Sequence, residues 1–338
     1  MSKRREGGLE LRRFLGSGDS NLLQLSLITL ATFILMSVLV PDTFLTVRNM
    51  RSMSFQFPEL GILSLAMMLA MLTGGIDLSL VGMANLSSVI CAFTFVKLMP
   101  KDLPSDQVVL FIVGVVILAL TLGLLCGLIN GILIATLHIP PILATLGTMQ
   151  VYTGAAIVMT RGAAVIGFPE QYAFIGNGSI AGVGVPLLIF LVLLLGLALI
   201  LRRTAFGMHL VLIGSNAKAA RFAGIKVRRH LILTYMTGGA LASIAGLIMS
   251  SRTNAAKADY GTSYILQSIL VAVLGGVNPS GGRGAAVGIL VAVLALQFLS
   301  SGFSMLRYSN FAKEFVWGLF LLLIMIVNYF TSGESREK

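Results

Sequence analysis

VVLFIVGVVILALTLGLLCGLINGILIAT, residues 108–136, holds no charged residue and no proline. A helix crosses a hydrocarbon core of about 30 Å with roughly 20 apolar residues. The run is longer than that, which predicts a span that is either tilted or broken near Gly127 or Gly131. Composition points the same way. The 338 residues are 57% hydrophobic and 11% charged, where a soluble domain carries about 25% charged residues. So few charges cannot cover a water-facing surface, and much of the exterior must face lipid.

Working outward, apolar runs bounded by charges, proline and glycine give ten candidate helices. They lie near 21–40, 58–73, 78–98, 108–136, 141–160, 185–201, 230–250, 263–276, 284–301 and 313–330. The fold class is all-α, a polytopic membrane bundle over 21–330 between a basic tail at 1–20 and a short tail at 331–338. The run 21–40 exceeds a signal-peptide core and ends without a small-residue cleavage site, so it reads as an uncleaved first span.

Net charge is +11, from 24 Lys and Arg against 13 Asp and Glu. The basic residues sit between apolar runs with no aromatic-basic groove, so they read as topology signals and not as nucleic-acid contacts. With the N-terminus in the cytoplasm, fifteen of the 24 fall inside and nine outside. That asymmetry places both termini inside and makes the number of spans even. Cys91 and Cys126 lie in apolar runs without C-x-x-C spacing, and His138, His209 and His230 lack metal-ligand spacing. Buried thiols and no metal centre are expected.

Two apolar segments end alike. Leu65 to Thr73 runs into Gly74-Gly75-Ile76-Asp77, and Ile269 to Leu274 runs into Gly275-Gly276-Val277-Asn278. Interrupted segments at matching places in two halves mark a repeated transport fold; chance likeness of a short stretch is the alternative. Gly74, Gly75, Asp77, Gly275, Gly276 and Asn278 are thus the candidates for helix breaks and for the solute pathway. Asp77 reads better as a cap at the positive end of the next helix than as a substrate or proton site. Arg283 marks the inner side.

The basic inner loop 202–230 contains GSNAKAARFAGI, residues 214–225. Ser215 or Asn216 can cap a helix there, alanine favours one, and Gly224 can stop it. At about eight residues it falls below the roughly 12–15 that make an isolated helix even marginal, so it must pack on something. Ala217, Ala220 and Gly224 would let a partner approach closely, with Lys218 and Arg221 at the rim. A helix lying on the inner membrane surface is equally open at this level.

These stretches together resemble the ribose-type permeases of sugar ATP-binding cassette importers. The matching residues are GGIDLS at 74–79, IPPILATLGT at 139–148, TAFG at 204–207, the run 214–225, and GG at 275–276 through GGRG at 281–284. They follow the family order from about residue 58 to 330. Where the family reads Gly-Gly-Ile-Asp-Leu-Ser-Val-Gly, this chain has Leu80-Val81-Gly82, one residue longer.

The resemblance implies a bacterial inner-membrane permease with a coupling helix at about 216–224 docking into a separate ATPase. It also implies a second permease subunit, identical or related, around one pathway, and an extracytoplasmic sugar-binding protein. No G-x-x-x-x-G-K-[ST] phosphate loop occurs, so this chain is read as no enzyme and as carrying no cofactor, with ATP and Mg bound by the partner. An ion-gradient-driven secondary transporter is the alternative reading. It would need acidic or histidine relays, and the span centres look almost free of them. A membrane-embedded enzyme would need clustered nucleophiles or metal ligands. Outer loops 161–184 and 250–263 offer aromatic and polar residues to the membrane interface or to a partner.

Overall fold

Each apolar run long enough to cross a bilayer forms a helix, because a helix satisfies every backbone polar group within one segment. A computed structural model describes residues 17–100 and 102–333; the expected tails at 1–20 and 331–338 lie mostly outside these. Helix α1 (Ser17–Leu39) leads through the short α2 (Pro41–Phe44) into α3 (Val47–Leu72). Then come α4 (Leu80–Leu98), α5 (Ser105–Ala135), α6 (Pro141–Thr160) and the short α7 (Glu170–Asn177). Next are α8 (Val185–Arg203), α9 (Ala205–Ser215), α10 (Ala217–Phe222) and α11 (Val227–Thr253). The chain closes with α12 (Tyr264–Leu274), α13 (Ala286–Met305) and α14 (Asn310–Gly333). A helix stands at all ten expected positions, and eight are long and apolar enough to span among the described residues.

One of the two alternatives for the long run holds, and one helix is shorter than expected. α5 is one unbroken helix of 31 residues. Its glycines bring α11 to backbone distance instead of breaking the helix: a Cβ at Gly127 would lie 2.7 Å from Met236 Cα, and one at Gly131 2.7 Å from Ile232 Cα. Small residues at four-residue spacing are how membrane helices approach closely. α12 has only 11 residues, about 16 Å at 1.5 Å per residue, half a bilayer core. It ends at the second double glycine.

α3 is the central post. All its residues from Phe57 to Leu72 are buried, and α8, α11, α12 and α13 pack around it. Leu23, Leu110, Val158 and Val192, on α1, α5, α6 and α8, are exposed, as lipid-facing positions must be. On the opposite side from the double glycines, β1 (Val165–Ile166) awaits its partner late in the chain, and β2 (Ser179–Ile180) pairs with β3 (Val183–Gly184) in a hairpin. The partner of β1 is β4 (Ala255–Ala256), antiparallel. Tyr172 of α7 turns inward, its hydroxyl donating to Leu247 O at 3.0 Å and its ring packed on Phe95 and Phe168. Tyr172 and Phe168 therefore hold the cap to the bundle, while Phe174 of the same loop is exposed.

Candidate coupling site at the inner face

The two double-glycine ends share one geometry. In α3, Gly74 N–H donates to Met71 O at 2.9 Å and Gly75 N–H to Ala70 O at 3.1 Å. In α12, Gly276 N–H donates to Val273 O at 3.0 Å and Val277 N–H to Ala272 O at 3.0 Å. Gly74 and Gly276 both have φ of +83°, the left-handed stop that favours glycine. The structural match therefore pairs Gly74 with Gly276, one residue out of step with the double glycines. Beyond each stop an Asp or Asn folds the backbone: Ser79 N–H donates to Asp77 Oδ1 and Ser280 N–H to Asn278 Oδ1, both at 3.0 Å.

Their surroundings differ. Asp77 is buried and also accepts from Ser79 Oγ at 2.6 Å, and Asn130 Nδ2 donates to that hydroxyl at 2.7 Å. Asn278 is exposed. Gly75 makes room for the Tyr235 hydroxyl, which has no hydrogen-bond partner among the described residues.

The two stops meet at the end of α9. Gly282 N–H donates to Leu72 O at 3.1 Å. A Cβ on Gly281 would stand 2.7 Å from Gly214 O and 2.9 Å from Gly74 N, and one on Gly214 would stand 2.5 Å from Gly282 N and against Leu72 O. Three glycine-bearing segments thus touch backbone to backbone, with no space for a side chain. Nothing in the sequence signals this knot, because its parts are far apart in the chain.

From the knot the chain passes directly into α10. Ser215 is the last residue of α9 and its hydroxyl donates to Val211 O at 2.9 Å. The cap is Asn216, whose Oδ1 accepts Ala219 N–H at 3.0 Å. Gly224 (φ +80°) ends the turn, and Ile225 N–H donates to Ala220 O at 3.1 Å. The helix has six residues, two fewer than expected, with both ends fixed. Ala217, Lys218, Arg221 and Gly224 are exposed. Ala220 is 4% exposed and packs on Ile213 and Val227, so it anchors α10 to its own protein; the expected small-residue docking face loses this member. Phe222, absent from the sequence reading, is 92% exposed. A lone large apolar residue in a polar loop was the available signal.

His209 Nδ1 and His230 Nε2 lie 3.0 Å apart near this loop, but no group of three or more metal-ligating side chains forms among the described residues. The span centres, expected to be almost free of acids, hold one that the sequence reading did not single out. Glu59 of α3 is fully buried and forms a forked pair with Arg252, at 2.6 Å from Nε and 3.1 Å from Nη2, with the Tyr264 hydroxyl at 3.4 Å. The pair ties α3, α11 and the start of α12 together. Pairing satisfies the charge in place, which distinguishes it from an open relay.

A family model described as branched-chain amino acid transport system / permease component matches residues 49–327. The ribose import permease protein RbsC of Bacillus subtilis (strain 168) is 36% identical over 87% of this chain and 88% of its own length. The autoinducer 2 import system permease protein LsrD of Enterobacter sp. (strain 638) is 32% identical over 89% of this chain and 90% of its own. No solved structure is a significant match. On the extent of these matches and on its helices, this multi-pass membrane chain belongs to the permease-component family of the branched-chain amino acid transport system type.

Proposed function

We propose that the chain is the membrane-spanning permease subunit of an ATP-driven importer for a sugar or sugar-like solute. The observation that carries this reading is α10: an exposed helix, capped at both ends, whose preceding residues grip the stops of α3 and α12. A separate ATPase, binding ATP and Mg, would dock on Ala217, Lys218, Arg221 and Gly224, with Phe222 entering an apolar cleft. ATP can shift the conformational equilibrium only by binding one state more tightly than the other. Motion of α10 would then reach both halves of the permease through Gly214. A second permease subunit would complete the pathway, and an extracytoplasmic binding protein would deliver solute.

The sugar assignment rests on relatives named for ribose and autoinducer 2 import, against a family description that names branched-chain amino acids. Reconstituted vesicles test the whole reading. ATP-dependent uptake of D-ribose is expected, and Phe222→Ala is expected to weaken co-purification with the ATPase roughly tenfold, as loss of a buried aromatic anchor does. Uptake that persists without the ATPase and follows a proton gradient would refute it.

A further inference from the structure

Between α3, α12, α13 and α14, on the side the charge count assigns to the exterior, lies a cavity of about 260 Å³. Its wall carries Gln56 of α3, Tyr264 and Gln267 of α12, Gln297 of α13 and Trp317 of α14. Gln297 is 9% exposed and Trp317 3%. Gln56 donates to Ser52 Oγ, whereas the amides of Gln267 and Gln297 have no hydrogen-bond partner among the described residues.

Neither amide is among the buried unpaired polar atoms of the described residues, so both are open to the cavity. An occupant with its own donors and acceptors can take the place of the water that would otherwise meet them. Each glutamine offers a carbonyl acceptor and two N–H donors, which suits hydroxyl groups that both donate and accept. The indole adds a flat apolar face and an N–H donor. Drug-sized ligands fill roughly 300–1,000 Å³, so this cavity takes a smaller solute, of monosaccharide size. Two charged residues also line the wall: Lys313, half-buried, whose Nζ donates to Ser304 Oγ at 2.7 Å, and Glu314, exposed at the mouth. Polar groups at this depth in a span face a partner or water, not lipid.

We propose that this cavity binds a polyhydroxy ring, with Gln297 and Gln267 bonding its hydroxyls and Trp317 stacking beneath it. The assignment rests on the importer reading and adds a site and its recognition chemistry to it. Tyr264 joins the wall to the Glu59–Arg252 pair, so the start of α12 is held while the cavity fills.

Trp317 is the chain's single tryptophan, which makes its emission a direct reporter. The purified full-length chain is titrated with D-ribose and, separately, with L-leucine. A saturable emission change with D-ribose is expected, weakened roughly tenfold in Gln297→Leu, as for loss of hydrogen bonds to a ligand. Gln267→Leu, at a half-buried position, is expected to do the same and guards against a Gln297 variant that does not fold. Response to L-leucine alone would overturn the polyhydroxy assignment. No saturable response to D-ribose, or wild-type affinity in both folded variants, would overturn the site. Uptake by the reconstituted importer separates the two levels: ATP-driven uptake unchanged in both variants sinks the cavity alone, while its absence in the wild type sinks the importer reading.

Discussion

Replacing Gly214 by alanine probes the knot with the smallest possible side chain. The new Cβ would stand 2.5 Å from Gly282 N and against Leu72 O, where ordinary contacts need about 3.5 Å. The segments must therefore separate by about 1 Å, which pulls the 3.1 Å bond from Gly282 N–H to Leu72 O out of hydrogen-bonding range. Overpacking costs about 1–3 kcal/mol and the lost bond about 1 kcal/mol, together about 2–4 kcal/mol. Against a total stability of roughly 5–15 kcal/mol the variant still folds. α10 keeps its cap and exposed face, so the variant is expected to co-purify with the ATPase. Uptake is expected to fall at least roughly tenfold, since 1.4 kcal/mol of mispositioning already amounts to that factor. Gly147→Ala is the control: it lies on α6 with nothing within 4 Å of the added carbon, and is expected to be neutral or stabilising by up to about 1 kcal/mol. Wild-type thermal stability and uptake in Gly214→Ala would refute the claim that the knot transmits motion.

Gly127→Val is expected to drive α5 from α11 and to lower the thermal midpoint sharply in detergent, measured by size-exclusion after heating; an unchanged midpoint would mean the two backbones are not in contact. Glu59→Ala, which strands the Arg252 guanidinium beside the emptied site, is expected to cost about 3–5 kcal/mol. The double variant Glu59→Gln with Arg252→Met should recover part of that loss. A double variant as unstable as the sum of the singles would argue that the two side chains act independently.

Helix positions were legible because apolar length is a local property of the chain. Residues 263–276 show where that reading stops: the run is already short of a full span, and the stop at Gly276 leaves a helix of 11 residues, half a bilayer core. Gly127 and Gly131 show the complementary ambiguity. A glycine in a span can end a helix or admit a neighbour, and only α11 lying against them decides which. Ala220 turned inward because Ile213 and Val227 set the roll of a six-residue helix, and no local pattern encodes that roll. Glu59 escaped notice because its partner Arg252 is 193 residues away.

The knot is the strongest case. A repeat brings two similar stops to the same depth, but similarity between halves does not make them move together. That requires a third segment reaching both, and Gly214 reaches Leu72 and Gly282 at once. The residue between Gly214 and the Asn216 cap is a single serine at the helix end, so little slack separates α10 from the stops. A repeated fold whose halves were coupled only through lipid-facing packing would not need glycine at 214, 281 and 282. On the proposed docking, their side-chain-free contact is what would give one exposed helix purchase on both halves.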